Sequence, residues 1–103
     1  DRMYSEMIET YQKMIDNENI SAEQKAIAMQ EISNITETKN GIMISENLIK
    51  NKGFDNVVIL VNNGKVNIVL NNSKLNQEQI SQIQNIIENE FNVKIQDIII
   101  SFK

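Results

Sequence analysis

Two β-branched runs flank an Asn-Gly pair: Val57-Val58-Ile59-Leu60-Val61, then Asn62-Asn63-Gly64-Lys65, then Val66-Asn67-Ile68-Val69-Leu70. A type I′ turn needs positive φ at both central residues, and Asn-Gly supplies it at low cost. The stretch is therefore predicted to be a tight β-hairpin. Its first run is apolar at every position, and Asn67 alone clearly interrupts the second. Alternation sends Val58 and Leu60 to one face and Val57, Ile59 and Val61 to the other. Such a strand needs cover on both sides, or keeps one face for a partner.

The remaining elements follow from periodicity. Met3, Tyr4, Met7, Ile8, Tyr11, Met14 and Ile15 recur at three- and four-residue steps, as on an amphipathic helix. Arg2 and Glu6, and Glu9 and Lys13, form i,i+4 charge pairs on its wetter side. This helix is expected to pack on the body of the protein and to cover the second face of the sheet. The sharper reading of its Met-rich face is a partner groove or a stalk leading to a membrane anchor. Asp16-Asn17-Glu18-Asn19 ends it as a polar turn.

Ser21, with Gln24 three residues on, opens a second helix whose apolar stripe is Ala22, Ala26, Met29, Ile32 and Ile35. Asn40-Gly41 is expected to kink or break it, because glycine costs a helix interior about 1 kcal/mol. The period resumes at Met43, Leu48 and Ile49. Gly53 then serves as a left-handed terminator, with Phe54 packing back toward Ile49. Asn76 and Gln79 form a capping box before a third helix with Ile80, Ile83, Ile86, Ile87 and Phe91 on one face, closed by Asn92. Residues 95–102 read as a third strand.

The fold class is thus α+β, with two helices packed on a three-stranded sheet in the order α-β-β-α-β, preceded by an N-terminal amphipathic helix. Residues 1–19 form the helix or stalk and 20–103 the folded domain. The all-apolar first strand is expected at the centre, with the last strand antiparallel to it. The alternative sets the last strand parallel to the second, through a right-handed crossover.

Composition narrows the chemistry. The 103 residues contain no His, Cys, Pro or Trp. A chain of this length buries roughly two-thirds of its unfolded surface, enough for one modest core. Without Cys there is no disulfide framework, thiolate nucleophile or Cys-ligated metal. Without His, the usual general base and commonest metal ligand are missing. The net charge is −4, with no basic stripe of the kind nucleic-acid binders carry. No apolar run reaches the ~20 residues of a membrane span. The start at Asp1 reads as that of a fragment of a longer protein. The 19 Ile and 16 Asn, both with A/T-rich codons, point to a low-GC genome.

The remaining candidates for chemistry have structural explanations. Glu88 and Glu90 point to different sides of a helix, while Glu6 and Glu9 share a solvated one. Asp55-Asn56 and Asn71-Asn72-Ser73 lack the spaced acidic ligands of a calcium loop and read as turns. Asn34-Ile35-Thr36 and Asn71-Asn72-Ser73 are formal glycosylation sequons of the kind an Asn-rich chain contains by chance. Gly41, Gly53 and Gly64 are isolated, so no phosphate loop can be written. A KH-like nucleic-acid-binding module is the alternative reading of these elements. It requires a GXXG loop that this chain does not contain. No cofactor, metal site or enzymatic activity is expected.

The stretch Leu48-Ile49-Lys50-Asn51-Lys52-Gly53-Phe54-Asp55-Asn56-Val57-Val58 resembles a signature of the bacterial stage III sporulation protein AH family, LIK..G[FY] followed by an acid, any residue and a hydrophobe. The similarity continues through Val66-Asn67-Ile68-Val69-Leu70 and the third helix. Ile20-Ser21-Ala22-Glu23-Gln24-Lys25-Ala26 is similar to the family's helical lead-in. The resemblance implies a ring-building motif like those of type III secretion and flagellar rings. It implies a parent protein anchored by an N-terminal helix in the mother-cell membrane of a clostridial spore former. The soluble domain would face the intermembrane space and bind stage II sporulation protein Q of the forespore. It would also associate with itself or sibling proteins in a ring, giving a channel or secretion-like complex. The family brings no catalytic motif, so the interface candidates are physical. They are Glu23, Lys25, Gln30 and Glu31 as a polar helix surface, and Val66, Asn67, Ile68, Val69 and Leu70 as a hairpin edge for β-addition.

Overall fold

A computed structural model describes residues 2–71 and 74–103. Most of the expected Asn71-Asn72-Ser73 turn and sequon, and the start at Asp1, lie outside them. The elements are α1 (Arg2–Ile15), α2 (Ala22–Asn51), β1 (Val57–Asn62), β2 (Lys65–Leu70), α3 (Gln77–Phe91) and β3 (Ile98–Phe102). The α+β class, the α-β-β-α-β order and the preceding helix are as the sequence predicts. The chain divides into two compact units, Asp1–Asn40 and Gly41–Lys103.

In the first unit, α1 carries the two expected ion pairs, Arg2–Glu6 at 3.3 Å and Glu9–Lys13 at 3.7 Å, both exposed. No residue of α1 is buried, and Met3 is 59% exposed, so the packing expected of its apolar face is only partial. Asn17 organises the turn that follows, its side chain accepting from the Asn19 N–H at 2.9 Å. Ser21 Oγ then accepts from the Gln24 N–H at 3.1 Å, the expected cap of α2. Ala28 and Ile35 are the buried residues of this unit.

The break expected at Gly41 does not occur, and α2 runs unbroken for 30 residues. The glycine answers to packing. A Cβ at Gly41 would lie 3.0 Å from Phe91 Cε1, so any other residue would push that ring away by a few tenths of an ångström. The helix ends as predicted, with Gly53 at φ +105° and its N–H donating to the Lys50 carbonyl at 2.9 Å. Phe54 and Ile49 are both buried in the core cluster that follows.

The hairpin has the predicted turn, with φ +52° at Asn63 and +76° at Gly64. Its register pairs Val57 with Leu70 and Asn62 with Lys65. The strand order corrects the expectation: it is β1-β2-β3, with β2 at the centre and β3 parallel to β2, Val66 opposite Ile98. The 15-residue α3 provides the long connection that a parallel pair requires. The apolarity of β1 therefore does not mark a central strand. Residues 95–97 form a 3₁₀ turn, so the last strand starts three residues later than expected. The core joins Ile49 of α2, Ile83 and Ile87 of α3, and Ile59, Val66, Ile68, Leu70 and Ile98 of the sheet. The α3 capping box is complete, with Gln79 N–H to Asn76 Oδ1 at 2.8 Å and Asn76 N–H to Gln79 Oε1 at 3.0 Å. Asn92 closes the helix in the left-handed region.

Candidate functional site

On α2, Glu23, Ile27, Gln30, Asn34 and Glu37 recur at alternating four- and three-residue steps, so they share one face. All five are exposed, Ile27 at 58%. Gln30 Nε2 donates to Asn34 Oδ1 at 3.0 Å along this face. Of the interface candidates on this helix, Glu23 and Gln30 belong to the face and half-buried Glu31 flanks it. Lys25 lies on the opposite side, in step with Ala28 and Ile35. The four are thus not one surface.

The β2 candidates fall in two sets. Val66, Ile68 and Leu70 are fully buried. Asn67 and Val69 are half-buried and point the other way. Since β2 pairs with β1 on one side and β3 on the other, it has no free edge. The β-addition expected there has no unpaired backbone to use. The unpaired outer edges of the sheet are those of β1 and β3.

The sheet face away from the core is the surface the sequence pointed to without naming it fully. Val58 and Leu60 are 51% and 53% exposed and Ile99 is 42% exposed, so this face stands open. The register places Val69 beside Val58, Asn67 between Leu60 and Ile99, and Ser101 beside Val69. A groove of about 350 Å³ opens at one end, lined by Val58, Val69, Asn71 and Lys103. The unbroken apolar run of β1 was the signal for this face. The neighbours of Ile99 and Lys103 depend on the strand order, whereas Lys65 is placed by the hairpin register.

A second groove of about 230 Å³ lies between α2 and α3, lined by Leu48, Lys52, Gln82, Ile86 and Glu90. Among the described residues, no three acidic side chains come together as a metal-binding group. The described residues present two distinct surfaces. One is an acidic helix face and the other an open apolar sheet face.

The family model described as "SpoIIIAH-like protein" matches residues 1–100. No curated protein matches. Among solved structures, a chain of the "Structure of the SpoIIQ-SpoIIIAH pore forming complex" superposes with a TM-score of 0.83 at 19% identity. The match covers 96% of this chain and 85% of that one. At that identity the likeness establishes a shared fold.

Proposed function

The chain belongs to the SpoIIIAH-like protein family, and from that premise we propose that it is a non-enzymatic interaction and ring-building domain of a sporulation membrane protein. Its partner is stage II sporulation protein Q, and the pair forms a channel or secretion-like complex between mother cell and forespore. The observation that carries this reading is the shared fold, over almost the whole chain, with a component of the SpoIIQ-SpoIIIAH complex. An open apolar sheet face and free strand edges on β1 and β3 suit a molecule built to be covered by others.

The domain works in the extracytoplasmic space between the two membranes. No helix among the described residues is long and apolar enough to cross a membrane, and the proposed anchor belongs to the parent protein. Residues 20–103 act as the ring-building domain, and 1–19 as the helix leading into it. The α2 residues Glu23, Gln30 and Glu31 serve contacts within the assembly.

Calorimetric titration with the extracellular domain of stage II sporulation protein Q tests the reading. A saturable 1:1 isotherm is expected. No heat of binding at about 100 μM, equivalent to roughly −5 kcal/mol, overturns it.

A further inference from the structure

The two surfaces described above are complementary in charge as well as in kind. Residues 1–40 hold eight carboxylates against four cations, whereas 41–103 hold six of each. The net negative charge therefore belongs to the helical unit. On α2 it is focused: the exposed face has Glu23 and Glu37 around Ile27, with Glu31 at its flank. The cations Lys25 and Lys39 lie on the other side of the helix.

The outer face of the sheet has the reverse pattern. Its strand positions are Val58, Leu60 and Asn62 on β1, Lys65, Asn67 and Val69 on β2, and Ile99 and Ser101 on β3, with Lys103 continuing the alternation. No carboxylate stands among them, and Lys65 and Lys103 mark opposite ends of an apolar centre. An exposed isoleucine flanked by glutamates thus matches an exposed leucine and valine flanked by lysines.

We propose that the acidic α2 face of one copy, centred on Ile27, docks on the outer sheet face of the next copy, centred on Leu60. The inference rests on the ring-building reading above and names the surfaces that do the building. The two patches differ, so the contact is head-to-tail, the type that closes into a ring when the rotation per subunit allows. Three strands span roughly 10 Å and six residues roughly 20 Å, so the face is far smaller than the ~800 Å² per partner of a standard interface. Each contact is consequently weak in free solution. Tethering to one membrane, which raises effective concentration into the millimolar range, brings it into play.

Because the chain lacks cysteine, Ile27→Cys and Leu60→Cys each introduce a single thiol at an exposed position. The two variants, differing in mass by a tag, are mixed at about 1 mM and oxidised. The mixed adduct is expected well above its statistical share relative to the two symmetrical ones. Glu23→Lys with Glu37→Lys in the Ile27→Cys chain should reduce it roughly fivefold to tenfold, in line with two exposed ion pairs. Lys65→Glu with Lys103→Glu in the Leu60→Cys chain should then restore it. Statistical proportions, an excess of the Leu60→Cys symmetrical adduct, or reversal without rescue overturns the proposal.

Titration of the Lys65→Glu, Lys103→Glu chain with the protein Q domain separates the two readings. Unchanged affinity supports the assignment of this face to the neighbouring copy. Loss of affinity gives the face to protein Q and overturns the inference, while the proposed function stands. Absence of binding by the unsubstituted chain fails the function, whatever the adducts show.

Discussion

Gly41 and Ser45, one turn apart on α2, are both buried and lead to opposite predictions. Alanine in place of Gly41 gains about 1 kcal/mol of helix propensity but forces a methyl against the Phe91 ring, a type of overpacking that costs about 1–3 kcal/mol. Gly41→Ala should be destabilising by urea denaturation, and Gly41→Ala with Phe91→Leu should recover the loss. Ser45 Oγ is buried and makes no hydrogen bond among the described residues. Removing an unsatisfied buried hydroxyl relieves a penalty of about 1–3 kcal/mol, so Ser45→Ala should raise the denaturation midpoint. Neither fact was legible in the sequence. Local propensity reads Gly41 as a breaker, and the ring that explains it belongs to another helix, far along the chain. The Asn63-Gly64 turn and the Asn76-Gln79 box were legible because their partners lie within three residues.

At the scale of the element, burial alternates along each strand, and the two faces should respond differently. Ile68→Ala removes a fully buried side chain from the central strand and should cost about 2–5 kcal/mol. Leu60→Ser, on the open face, should change stability by less than about 0.5 kcal/mol. Equal losses in chemical denaturation would show that both faces are covered. Asn76→Ala should cost about 1 kcal/mol through loss of the α3 cap. Helices, hairpin and caps were readable because each is set by periodicity or by a short-range hydrogen bond. The strand order was not. An apolar strand looks the same in sequence whether its second face meets a helix, a neighbouring copy or water, and β1 was therefore expected at the centre. The edge to which β3 returns is decided by how α3 packs, which periodicity does not encode.

Across the whole molecule, the fully buried residues concentrate in residues 41–103, while α1 has none. Amide exchange should follow this division, slowest at Val66 and Ile68 and fastest along α1, because protection tracks buried packing. Comparable protection in α1 and β2 would contradict it. The parallel pairing of β2 with β3 also bears on how the chain is made. Val66 finds Ile98 only after all of α3 has been made. Until then one edge of β2 stays open to pairing with any exposed strand. A polypeptide emerging N-terminus first thus holds an adhesive intermediate until β3 is made, and this pairing is non-local and slow to form. Loss of Ile98–Phe102 would leave that intermediate permanent, so deletion of β3 should cause aggregation rather than merely weaken the fold.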